Sequence, residues 1–90
     1  MSINAEDHTI RSTLKRTFGN TYDFRIGYIV RFPQEHTITN EDSSWKYTFE
    51  ENDFIIFKKN CTIEDVDETC FDIIKDYDKE NIRNYTDLTT

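Results

Sequence analysis

Proline occurs once and glycine twice in this chain of ninety residues. Disordered segments tend to be rich in both, so their scarcity points to a folded chain. Two cysteines are too few for the disulfide framework of a small secreted domain. No apolar run approaches the length that crosses a bilayer. The opening MSINAEDHTIRST has neither the basic start nor the apolar stretch of an export signal. The expected setting is therefore the cytoplasm, with both thiols reduced. Catalytic signatures are missing too: there is no G-x-S-x-G, no glycine-rich phosphate loop and no H-E-x-x-H. With only His8 and His36 as histidines, a non-enzymatic protein without a cofactor is expected.

Positive charge is also in short supply. Eleven basic residues face eighteen acidic ones, a net charge of −7. The imbalance grows along the chain: five bases and three acids in residues 1–34, three and six in 35–60, three and nine in 61–90. A surface of this sign repels phosphates and disfavours direct nucleic-acid binding. Aromatic residues are plentiful, with seven Phe, five Tyr and one Trp. Large rings suit the thin core of a chain that buries only roughly 60–65% of its unfolded surface. One domain spanning residues 1–90 is expected.

The apolar spacing supplies the elements. Ile3, Ile10, Leu14 and Phe18 recur on one helical face and predict a helix over 4–18, with Asn4 as N-cap, Asp7 three residues on, and Gly19-Asn20 as its stop. Tyr22, Phe24, Ile26, Tyr28, Val30 and Phe32 alternate, which predicts a half-buried strand with a bulge at Gly27. HTIT, WKYTFE and FIIFKK continue an antiparallel meander. From Thr62, the face Ile63, Val66, Cys70, Ile73, Ile74 and Tyr77 predicts a second helix fading near Asp78. The expected fold is α+β: an N-terminal helix, an antiparallel sheet of three to four strands, and an acidic C-terminal helix, with the helices on one sheet face.

That last segment, CTIEDVDETCFDIIKDYDKE, carries eight acids against two bases. A calcium loop would place Asp65, Asp67, Thr69 and Asp76 as ligands, but Cys70 stands where the loop needs glycine. Cys61 and Cys70 lie nine apart, which fits neither zinc spacing nor the C-x-x-C of a redox pair. Read as a helix, Glu64, Asp65, Glu68, Asp72 and Asp76 share one face. From Glu64 to Glu80 a helix rises about 24 Å, and a net charge of −6 over that length approaches the ~3.4 Å phosphate spacing of a DNA strand. The expected partner-binding residues are Glu64, Asp65, Asp67, Glu68, Asp72, Asp76, Asp78 and Glu80, joined by Glu50, Glu51 and Asp53 from the strand turns. Glu41 and Asp42 are further turn acids on which such a patch could draw.

In size, acidity and expected fold the chain resembles the small acidic DNA-mimic anti-restriction proteins of phages, the Arn (anti-restriction nuclease) type of T-even phages in particular. The resemblance implies an inhibitor whose acids stand in for phosphates and occupy the DNA-binding surface of a basic protein such as a restriction endonuclease, without membrane or direct nucleic-acid contact. It also implies a homodimer, acting in the cytoplasm of a host bacterial cell. The alternative is an immunity protein or antitoxin that plugs a basic nuclease toxin, with Trp45, Tyr47, Tyr77 and Tyr85 as candidate anchors.

Overall fold

The computed structural model describes residues 8–75 and 84–88. Among them one helix, α1 (Ile10–Phe18), precedes eight short strands: β1 (Asp23–Phe24), β2 (Ile29–Phe32), β3 (His36–Thr39), β4 (Lys46–Phe49), β5 (Asp53–Phe57), β6 (Cys61–Thr62), β7 (Phe71–Ile74) and β8 (Thr86–Asp87). A 3-10 turn covers Glu68–Cys70. The described residues thus form a mostly β structure, not the expected pair of helices on one sheet. No helix among them is long and apolar enough to cross a membrane.

The predicted C-terminal acidic helix is absent from Thr62 to Lys75, and its continuation through Asp76, Asp78 and Glu80 lies outside the described residues. Two features explain the mismatch. Ile63 and Val66 are three apart because a turn, closed by Asp65 N–H donating to Thr62 O at 3.0 Å, brings both side chains inward. Asp67 is then fully extended, at φ −148° and ψ −174°, and caps the 3-10 turn. In β7 Phe71 is buried and Asp72 exposed, and the β-branched Ile73 and Ile74 suit a strand better than a helix. Leaving the helix also removes the i, i+4 repulsion that Glu64, Glu68 and Asp72 would suffer along one helical face.

The first helix is shorter than expected. Thr9, at φ −82° and ψ 162°, is extended, and its hydroxyl accepts from Ser12 N–H at 3.1 Å. The cap is therefore Thr9; the Asn4–Asp7 arrangement lies outside the described residues. Gly19 ends the helix as predicted, at φ 88°, donating to Lys15 O. Ile10 and Leu14 are buried and meet Phe32, Ile38, Phe49, Ile55 and Phe71 around a void of only about 10 Å³, too small to hold water.

The strands form three sheets, ordered β7-β5-β2-β8, β1-β6 and β3-β4. β5 is the centre. It runs antiparallel to β2 (Val30 opposite Ile55, Phe32 opposite Asp53) and to β7 (Ile55 opposite Ile73, Phe57 opposite Phe71), while β8 runs parallel to β2. The meander is thus replaced: β3 and β4 make a separate hairpin, and β5 pairs with β2 and β7 instead of β4. The predicted single strand over 22–32 is broken in two. Tyr28 N–H donates to Arg25 O, Gly27 N–H to Phe57 O and Phe57 N–H to Tyr28 O. Gly27 and Tyr28 therefore stand opposite one residue, a β-bulge with Gly27 at φ 90°. The turn carries Ile26 outward, 67% exposed, while Phe24, Val30 and Phe32 point in.

The core is aromatic. Phe24 stacks on Phe57 at 4.3 Å between centroids and Phe32 on Phe49 at 4.0 Å. These positions separate the observed fold from one uninterrupted strand. Phe57→Ala is expected to cost about 3–5 kcal/mol, whereas Ile26→Ala should change stability by no more than about 0.5 kcal/mol. Urea unfolding of the two variants measures both; a large loss at Ile26 would contradict the bulge.

Candidate acidic interface

The expected acids divide between two ends of the β3–β4 hairpin. At one end, the turn after β3 meets the loop after β6. Asn40 is the link: buried, it accepts from Trp45 N–H through Oδ1 at 3.1 Å, and its Nδ2 donates to both carboxylate oxygens of Glu68 at 3.2 Å. This brings Glu41 and Asp42 beside the segment holding Glu64, Asp65, Asp67 and Glu68. Helix α1 ties both segments down: Arg11 lies 3.6 Å from Glu41 and donates to Val66 O, and Lys15 pairs with Glu64.

Most of these carboxylates are held by neutral donors. Asp42 accepts from Ser44 N–H at 3.1 Å, Asp65 from the Thr62 hydroxyl at 3.0 Å, Asp67 from Thr69 N–H at 2.9 Å, and Glu68 from Asn40. Hydrogen bonding to the charged form favours it. The Ser44 hydroxyl and amide hold Asp42 below the usual carboxylate range, and the Thr69 hydroxyl does the same for Asp67. Asp42 and Asp67 are thus oriented by the same bonds that favour their charged forms.

At the other end of the hairpin, charge is neutralised. Asp53 is the exception to an acidic surface: it is 1% exposed, on the core face opposite Phe32. Its Oδ2 accepts from Glu50 N–H at 2.8 Å and from Lys75 Nζ at 2.7 Å. Lys75 also reaches Glu50 at 3.2 Å and the Tyr47 hydroxyl at 3.4 Å. Asp53 is a structural carboxylate, and no partner can touch it. Glu51 is exposed nearby, and Asp87 grips Arg31 through two contacts, at 2.6 and 3.0 Å. Asp72, expected beside Glu68, projects from β7 toward Lys58 at 3.3 Å. The structure therefore assembles Glu64, Asp65, Asp67 and Glu68 and leaves out Asp72, Glu50, Glu51 and Asp53. Asp76, Asp78 and Glu80 lie outside the described residues.

Sequence reasoning placed Glu41 and Asp42 only as turn acids of uncertain side. Nothing local reveals their neighbour, because the contact runs through Asn40, 28 residues from Glu68. Of the candidate aromatic anchors, Trp45 and Tyr47 are half-buried against the core, Tyr85 is 44% exposed, and Tyr77 lies outside the described residues. Among the described residues no three His, Cys, Asp or Glu side chains converge as a metal ion would require. The two cysteines, far apart in sequence, are close in space: their sulfurs lie 3.1 Å apart.

A scan of the chain against protein-family models found no match. Searches of curated proteins and of solved structures found none either.

Two outcomes test these assignments. Asp53→Ala is expected to cost about 2–3 kcal/mol, read from urea midpoints, since it orphans a buried N–H and a lysine held at the core's edge. Asp53, then Tyr47 and Glu50, raise Lys75 above its ordinary value of 10.5. A base with a raised pKa stabilises the fold fully below its unfolded value and loses that contribution as pH climbs through the folded one. The wild-type stability curve should therefore fall more steeply above pH 10.5 than that of Asp53→Ala. At the other end, Thr69→Val should move the NMR titration of Asp67 back up toward 3.8; an unmoved titration would show that the hydroxyl does not hold it.

Proposed function

We propose that this chain is a non-enzymatic inhibitor whose acidic end, built from Glu41, Asp42, Glu64, Asp65, Asp67 and Glu68, mimics the charge of DNA and occupies the cationic DNA-binding surface of another protein, such as a restriction endonuclease. One observation carries the reading: carboxylates from two separate loops are gathered at one end, and four of the six, Asp42, Asp65, Asp67 and Glu68, are held by neutral hydrogen-bond donors. A carboxylate already held in one orientation loses less freedom on binding, and a concentrated negative field steers a cationic groove toward it.

The form of the mimicry differs from the helical row read in the sequence. Regular spacing of charge along a 24 Å axis has no basis in loops and turns, so the likeness to a phosphate strand lies in local density and sign. Such a surface gives fast, salt-sensitive association.

The test is displacement. Labelled duplex DNA is bound to a panel of bacterial restriction endonucleases and other basic DNA-binding proteins, and this protein is titrated in while fluorescence anisotropy is followed. The expected result is release of DNA from at least one of them, weakening steeply with added salt. Glu64→Lys combined with Asp65→Lys should raise the inhibitory concentration by at least about tenfold, or roughly 1.4 kcal/mol, with unchanged circular dichroism. Full inhibition by that double variant would remove the acidic end from the mechanism.

A further inference from the structure

We infer that Cys61 and Cys70 are a thiol–disulfide site, closing reversibly into an intrachain disulfide across the acidic loop. The sulfurs lie 3.1 Å apart as free thiols, about 1 Å beyond the ~2.0 Å of a disulfide bond. Both cysteines are held there by backbone structure on either side. Cys61 is in β6, paired with Phe24 of β1. Cys70 ends the 3-10 turn: its N–H donates to Asp67 O at 3.0 Å and its carbonyl accepts from Lys58 N–H at 2.9 Å. Lys58 is only three residues before Cys61, so one short connection ties the two positions together. Because the pairing is tertiary, the nine-residue separation that argued against a redox pair does not bear on it.

The two thiols differ in access, which assigns their order of reaction. Cys70 is 2% exposed. Cys61 is partly exposed and lines an open cleft of about 440 Å³ with Asp23, Arg25, Lys59 and Asp65. A low-molecular-weight disulfide of the glutathione class can reach Cys61 there. The Cys61 thiolate attacks one sulfur of that disulfide, and the first small thiol departs as thiolate and takes up the proton Cys61 gave up. Cys70, deprotonated in turn, attacks Cys61 Sγ in the mixed disulfide, and the second small thiol leaves in the same way. Two protein thiols are oxidised to one disulfide, and one external disulfide is reduced to two thiols. Burial and the neighbouring Cys70 push the Cys61 thiol up to about 12, so the thiolate is scarce at neutral pH and closure is slow there.

The inference is independent of the DNA-mimic reading, and its test reads thiols instead of inhibition. The folded wild-type protein is incubated with oxidised glutathione at mildly alkaline pH and analysed by intact mass and non-reducing peptide mapping. Expected are loss of two hydrogens per chain, a Cys61–Cys70 linked peptide, and full reversal by dithiothreitol. The closed form should melt about 5–15 °C higher, since a ten-residue loop is closed in the unfolded state. Cys70→Ser should stop at the mixed disulfide on Cys61. Should that variant fail to fold, the comparison is between wild-type protein in buffer and in denaturant, with closure expected to be faster per thiolate in the folded chain. Two thiols that persist after prolonged exposure, a stable glutathione adduct on the wild-type chain, or disulfides between chains would each overturn the assignment.

Discussion

The antiparallel pairing of β2 with β5, broken at Gly27, is the constraint on which the rest of this molecule depends. β5 is buried along nearly its whole length, as a central strand must be. Its pairing with β2 sets Val30 against Ile55 and Phe32 against Asp53, and that register leaves little freedom at either end. At the Phe57 end, the same antiparallel register resumes beyond the bulge, so that Phe24 stacks on Phe57 and β1 pairs with β6. That second pairing positions Cys61. At the Asp53 end, the same register drives a carboxylate into the core face, where Lys75 and the Glu50 N–H answer it. A glycine at φ 90° is what allows the bulge, since a side chain there would be strained even with open space around it.

Local signals were read correctly where local forces decide. The Ile10 and Leu14 spacing, the stop at Gly19, the bulge at Gly27 and the strands containing Ile38, Phe49 and Ile55 all follow from periodicity and turn chemistry. The reading failed where a short-range pattern had two solutions. An i, i+3 spacing such as Ile63 to Val66 belongs to a single turn as much as to a helix, and the adjacent Phe71, Ile73 and Ile74 carried the opposing strand signal. Which strand would neighbour β5 is a long-range choice that no window of sequence contains. Asp53 is a different kind of miss. It stands two and four residues before Ile55 and Phe57, on the same face of an apolar strand, and period two alone marks it as inward-facing. Counting it with the surface acids overlooked that signal.

The acids of this chain do not form one population. Glu50, Asp53, Asp72 and Asp87 each face a cation, namely Lys75, Lys58 or Arg31, and Glu41 and Glu64 face Arg11 and Lys15; of these six, Asp53 is buried and belongs to the scaffold. Asp42, Asp65, Asp67 and Glu68 are bonded to a hydroxyl, an amide N–H or a carboxamide. A cation cancels the far field of a carboxylate, whereas a neutral donor leaves it and removes only rotational freedom. Two segments whose acids repel one another must be held together by something else, and Asn40, Arg11 and Lys15 supply that restraint. The energetic cost of crowding like charges is thus met by contacts that the fold needs anyway.

This division also limits how the surface can work. Exposed ion pairs contribute little to stability and yield readily to salt, so Lys15 and Arg11 are weak clamps on Glu64 and Glu41. On the proposed reading, a cationic groove would compete with them for the same carboxylates. The carboxamide of Asn40 is a different restraint: it is buried, and it binds the hairpin turn through its own oxygen while holding Glu68 through its nitrogen. Glu68 is therefore the fixed point of the acidic end, and Glu64 and Glu41 are the positions free to exchange partners. Recognition on such a surface would begin with the long-range field of the whole cluster and settle on the carboxylates whose lysine and arginine partners are easiest to displace.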